Sequence, residues 1–215
     1  MKPHLYSFLA SLTVLPACTG ATTGSDTADE PTAPIEARAP IAGELLISQL
    51  YTSGAAPAGG TDHYFSDQFI ELVNAADVPL DLSGIRIANV YGMAGAISPG
   101  SVPDSFRAER PDEVVMSTVW RLPDGTELAP NDALLIAHDG ANHRPFSTID
   151  LSGADFEAYA EQSGRDEDSP TVANLESVVY NGGYDWLMTV FGPSVVIVDA
   201  TSELGEAEGF FGPLP

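Results

Sequence analysis

Apolar residues along this chain come in short runs of strand length, separated by clusters of Gly, Pro, Asn, Asp and Ser. Leu45-Leu46-Ile47 through Leu50-Tyr51, Gln68 to Val73, Leu80-Asp81-Leu82, Ile85 to Ile87, Val114 to Leu122 and Ala133 to His138 read as strands. Between them, Asn74-Ala75-Ala76-Asp77, Pro123-Asp124-Gly125 and Pro130-Asn131-Asp132 carry turn chemistry, because Asn and Asp bond their own backbone and Gly tolerates positive φ. The spacing predicts one short helix, N-capped at Ser152-Gly153-Ala154-Asp155, with Phe156, Tyr159 and Ala160 on one face and a stop near Gly164. Two closing runs, Trp186 to Phe191 and Val195 to Val198, flank Gly192-Pro193 and read as a hairpin. Many short strands with turns between them and no internal repeat predict a mainly β domain, a β-sandwich with one short helix.

The N-terminus follows a different pattern. Lys2 precedes an apolar stretch from Leu5 to Leu15, and Leu15-Pro16-Ala17-Cys18 ends it with the only cysteine of the chain. These are the parts of an export signal. The run is shorter than the about 20 apolar residues a membrane-spanning helix needs. Residues 1–17 are therefore expected to be a lipoprotein signal peptide, with Cys18 as the lipidated residue of a lipobox. Two acyl chains supply the membrane hold that one chain does not. Thr19 after the cysteine, rather than Asp, resembles the bacterial sorting signal for outer-membrane delivery, so the expected location is the cell envelope. Residues 18–42, rich in Thr, Ala, Asp, Glu and Pro, read as a disordered tether, and residues 43–215 as the folded domain.

Charge narrows the partners. Removing residues 1–17 removes the only lysine and leaves seven arginines against 31 acidic residues. Nucleic acid is excluded as a partner, because phosphate neutralisation needs clustered Lys and Arg. The acidity serves solubility, or else some carboxylates hold divalent cations. With Cys18 acylated, no internal disulfide can form.

Two stretches carry a family resemblance. Leu46-Ile47-Ser48, then Asp67-Gln68-Phe69-Ile70-Glu71-Leu72-Val73-Asn74, then Val78-Pro79-Leu80-Asp81-Leu82-Ser83-Gly84 resembles the bacterial lamin-tail domain, as does Thr126 to Pro130 before Leu134 to Ala137. Ile149 to Glu157 and Asp168 to Leu175 are similar to the bacterial lipoprotein family called domain of unknown function 4876. The resemblance implies an immunoglobulin-like sandwich over roughly Gly43 to Asp199 and a surface address. It implies no activity.

Candidate chemistry is sparse. Asp150, Asp155, Asp166 and Asp168, with Glu167, flank the predicted helix and offer hard oxygen ligands suited to calcium. They lack the EF-hand frame, and Asp150 and Asp155 have an alternative use as helix caps. His138-Asp139-Gly140-Ala141-Asn142-His143 does not reproduce zinc-ligand spacing, so these histidines are expected to be surface hydrogen-bonders at the end of a strand. No Gly-x-Ser-x-Gly elbow occurs, and Glu71 is expected to be satisfied by a cross-strand partner rather than paired with Asp81 as a glycosidase couple. The aromatic residues Tyr51, Tyr64, Phe65, Tyr91 and Phe106 surround two long loops, where they close the core or form a protein- or glycan-binding face. The expectation is a non-catalytic, membrane-anchored binding module without a cofactor. A calcium-stabilised structural or adhesion module is the alternative, and a secreted hydrolase the third reading.

Overall fold

The computed structural model of the protein describes residues 35–52, 66–90, 109, 113–145, 147–161, 166–180, 187–188 and 193–205, all within one compact unit that starts at Ile35. Strands β1 (Leu45–Tyr51), β2 (Phe69–Asn74), β3 (Leu80–Asp81), β4 (Arg86–Val90) and β5 (Met116–Arg121) fall where the apolar runs predict them, and β6 (Glu127–Leu128) lies in the stretch that only the family resemblance marked. They are followed by β7 (Ala133–Ala137), β8 (Phe156–Glu157), β9 (Ala173–Asn174), β10 (Glu176–Val179) and β11 (Val195–Val198). Among the described residues the protein is mainly β with almost no helix, and its sheets do not close into a barrel. No helix there is long and apolar enough to cross a membrane.

One sheet has the order β1-β2-β7-β8-β9, a second β10-β5-β4-β11, and β3 pairs with β6. The second sheet is antiparallel throughout. In the first, β1, β2 and β7 run antiparallel, whereas β8 and β9 join parallel to β7. This mixed pairing departs from the all-antiparallel sheets of an immunoglobulin domain. Alternation along each strand builds the core. Ile70 and Leu72 of β2, Leu134 and Ile136 of β7, and Ile87 and Trp120 of β4 and β5 meet in one cluster with Leu80, Leu82, Leu122 and Leu128. Each such side chain stabilises the fold by about 1.5–3 kcal/mol on burial.

Strand β7 is apolar on both faces for a reason. Its other residues, Leu135 and Ala137, face a second cluster made of Leu151, Ala154 and Val172 with Phe69 and Ile149. The uninterrupted run Ala133-Leu134-Leu135-Ile136-Ala137 is what a strand covered on both sides requires.

The predicted helix after Ser152 is not formed. Phe156 and Glu157 lie instead in β8, opposite Ile136 and Ala137 on one side and Ala173 and Asn174 on the other. The Leu135 carbonyl accepts from the Asp155 backbone N–H at 2.9 Å, and Ala137 from Ala158 at 3.0 Å. Phe156, Ala158 and Ala160 all pack on the main core. That is a period of two, and it outweighs the three-residue helical match that Phe156, Tyr159 and Ala160 make. Asp150 and Asp155 therefore cap no helix. Of the expected closing hairpin, β11 pairs with β4 and Leu187 and Met188 are buried in the core, while residues 186 and 189–192 lie outside the described residues.

Two connections position the rest. The chain enters along β3, where the Pro79 carbonyl accepts from Arg38 N–H at 3.2 Å and the Arg38 carbonyl from Asp81 N–H at 2.7 Å. The Arg38 guanidinium makes a two-pronged pair with Glu44, at 2.6 and 2.7 Å, fastening residues 38–44 as a strap. At the far side, only the buried Leu175 separates β9 in one sheet from β10 in the other.

Candidate functional site

Every buried Asp, Glu and His side chain among the described residues comes from three segments that meet at one end of the first sheet. Ser66-Asp67-Gln68 leads into β2, His138 to His143 leaves β7, and Glu157 ends β8. Antiparallel pairing of β2 with β7 sets Phe69 opposite Ala137, so the residues just outside that pair are neighbours. The ladder continues one step further, with the Gln68 carbonyl accepting from His138 N–H at 2.8 Å. Gln68 Oε1 stands 3.4 Å from His138 Nδ1.

Glu157 organises this end. Its side chain is 1% exposed. Oε2 accepts from the backbone N–H of Gly140 at 2.7 Å, and Oε1 from that of Ser169 at 2.7 Å. The Ser169 hydroxyl in turn donates to the Gly140 carbonyl at 3.0 Å. One buried carboxylate thus ties the loop after β7 to the loop before β9. A carboxylate removed from water needs such charge-assisted bonds to offset its desolvation. Glycine at 140 is required by space, because a Cβ there would lie 2.7 Å from both Glu157 Oε2 and the Val172 side chain.

The loop itself is wound around Asp139. Its carbonyl accepts from Ala141 N–H at 2.8 Å and from His143 Nε2 at 3.1 Å. A carbonyl only accepts, so Nε2 carries a proton; Nδ1 is buried without a hydrogen bond. The histidines expected at the surface are therefore interior residues. They are buried because β7 is covered on both faces and the loop folds back over it. The Ser66 hydroxyl is likewise buried without a hydrogen-bond partner.

The four aspartates considered for calcium each have a structural partner. Asp150 Oδ1 accepts from the Ser152 hydroxyl and N–H at 2.6 and 3.2 Å, which hold its carboxyl below the usual range, helped by the charges of Arg144 and His143. Asp155 Oδ2 accepts from Leu135 N–H at 2.7 Å, Asp166 Oδ2 from Ala160 N–H at 2.5 Å, and Asp168 Oδ1 from Asn174 Nδ2 at 2.8 Å. Among the described residues no three Asp, Glu, His or Cys side chains are grouped to hold a metal ion. The acidic surroundings still register at Tyr159, whose hydroxyl is pushed up by burial and then by the charges of Asp168, Glu161, Asp166 and Glu157.

Glu71 accepts from the Ser48 hydroxyl at 2.6 Å and from Gln49 Nε2 at 3.2 Å across the β1–β2 pair, the cross-strand satisfaction expected of it. Tyr51 stacks on Phe69 with ring centroids 5.3 Å apart. Cys18, Tyr64, Phe65, Tyr91 and Phe106 lie outside the described residues. The sequence reading missed Glu157, Gly140 and Gln68. The one signal for them was the alternation through Phe156-Glu157-Ala158, which places a carboxylate on a covered face.

No curated protein matches the chain. In structure it is similar to a DUF4876 family protein from Bacteroides thetaiotaomicron VPI-5482, with 25% identity over 77% of this chain and a TM-score of 0.55. The chain spans 43% of the length of that protein. Residues 129–208, from the turn before β7 past β11 and including His138–His143 and Glu157, match the family described as "Protein of unknown function (DUF4876)".

Proposed function

We propose that this chain is a non-catalytic lipoprotein of the bacterial cell envelope, anchored through Cys18 in the outer membrane. In this reading its immunoglobulin-like, lamin-tail-like sandwich binds a protein or glycan through loops. The observation that carries it is the concentration of buried Asp, Glu and His at one end of the first sheet. There Glu157 and the Asp139 carbonyl are engaged by loop backbone and side-chain groups. Binding surfaces need loops held in place by a supporting layer, and this end has one. The test combines anchoring and recognition. Acylation should be lost in Cys18→Ala. Binding of the full chain to arrayed envelope glycans and solubilised envelope proteins should fall in Tyr64→Ala and Phe106→Ala at unchanged melting temperature. Turnover abolished by Glu71→Gln with the fold intact would replace this reading with a hydrolase. A calcium-dependent rise in melting temperature would replace it with a calcium-stabilised module.

A further inference from the structure

The polypeptide leading back to Cys18 joins the folded unit at Ile35, and the strap fixes which end it joins. Arg38 is bonded to Pro79 and Asp81, and Glu44 immediately precedes β1. Leu45, at the start of β1, is opposite Asn74, at the end of β2, and Val73 is opposite Ala133, at the start of β7. The strap therefore sits at the Asn74 and Asp132 end of the sheet. Gln68, His138, His143 and Glu157 belong to the other end, beyond Phe69 and Ala137. The two ends are separated by the length of β7, five residues or about 17 Å of strand.

We infer that the end built on Gln68, His138 to His143 and Glu157 is the membrane-distal end of the protein, and the turn around Asp132 its membrane-proximal end. This rests on the lipid anchor at Cys18 proposed above. Two physical effects act in the same direction. The attachment point is pinned to the fold by backbone bonds and a two-pronged ion pair rather than left free to slide. An acidic domain is also repelled by anionic headgroups, which favours the extended arrangement over one lying on the bilayer.

The experiment uses the full acylated chain in phosphatidylethanolamine–phosphatidylglycerol vesicles carrying an acceptor dye on the lipid. A donor is attached at Asp132→Cys or at Asn142→Cys, both exposed positions, with Asp77→Cys as a second proximal position. Energy transfer to the lipid should be high from residues 132 and 77 and lower from residue 142. Equal transfer from all three, or the reverse order, in a chain whose acylation is confirmed by mass overturns the orientation and leaves the anchor standing. A chain that carries no acyl group and does not bind the vesicles overturns both.

Discussion

Gly140 and Glu157 occupy each other's space: the N–H of Gly140 donates to Glu157 Oε2 at 2.7 Å, and a Cβ on residue 140 would stand 2.7 Å from that same oxygen. The bond is possible because residue 140 has no side chain. Glycine here serves close approach rather than a turn.

Gly140→Ala should accordingly destabilise the protein by about 1–3 kcal/mol, the usual cost of overpacking, since Val172 stands as close as the carboxylate. Chemical denaturation would read this as a lower midpoint at unchanged slope. Gly125→Ala is the contrast. Nothing lies within 4 Å of its added Cβ, and only its φ of +81° opposes the change.

Replacing Glu157 separates charge from shape. Glu157→Ala leaves the N–H groups of Gly140 and Ser169 without their acceptor and should cost about 3–5 kcal/mol. Glu157→Gln keeps the volume but turns an NH2 toward one of those donors, and should cost about 1–3 kcal/mol. Hydrogen exchange at the amides of residues 140 and 169 should accelerate in both variants, more in the alanine. Unchanged exchange there would remove Glu157 from the role given to it.

Asn74 does at the opposite end what Glu157 does at its own. Fully buried, its Nδ2 lies 2.9–3.1 Å from the carbonyls of Val78, Leu128 and Ala129, and its Oδ1 accepts from Ala76 N–H at 2.8 Å. Asn74→Asp replaces the donor by a carboxylate facing three carbonyl oxygens. It should be the more damaging of two substitutions, with Asn74→Ala costing about 2–4 kcal/mol by the unsatisfied-group rule. Thermal unfolding at neutral pH should rank wild type above Asn74→Ala above Asn74→Asp. At pH below the aspartate's titration the second gap should narrow.

The strap carries a predictable pH response. Hydrogen bonds from Arg38 and from Ile41 N–H hold the Glu44 carboxyl at about 2, below its ordinary value of 4.5. A folded value below the unfolded one means the contribution is complete above pH 4.5 and is lost as pH falls through 2. Asp81, Asp150 and Asp199 are lowered by the Ser83, Ser152 and Thr201 side chains and backbone, and act with the same sign. The Ile41 amide should stay protected at pH 4 and lose protection near pH 2. The Glu44 carboxyl resonance should titrate with it.

Much of the β architecture is legible in the sequence, because alternation and turn chemistry act locally. Asn131 and Gly125 take positive φ in the turns their residue types announce. What local pattern does not hold is which strands neighbour which. Parallel insertion of β8 between β7 and β9 depends on residues 17 or more positions apart, and Phe156, Tyr159 and Ala160 fit a helix as long as those partners are unknown. The burial of His138 and His143 was hidden for a related reason. A polar run after an apolar strand reads as an exposed turn unless one knows that Leu151, Ala154 and Val172 fold over the same sheet face. Polar residues give no periodic sign of being interior. Their bonds do.

The single residue Leu175 between β9 and β10 makes one flank of the two-sheet core a covalent seam. Along that flank the sheets cannot part without stripping β9 from β8 or β10 from β5. Among the described residues, the opposite flank, where β1 and β11 are the terminal strands of their sheets, has no such stitch. The domain is built like a book, with its spine at Leu175, and low-energy openings are expected first at the fore-edge.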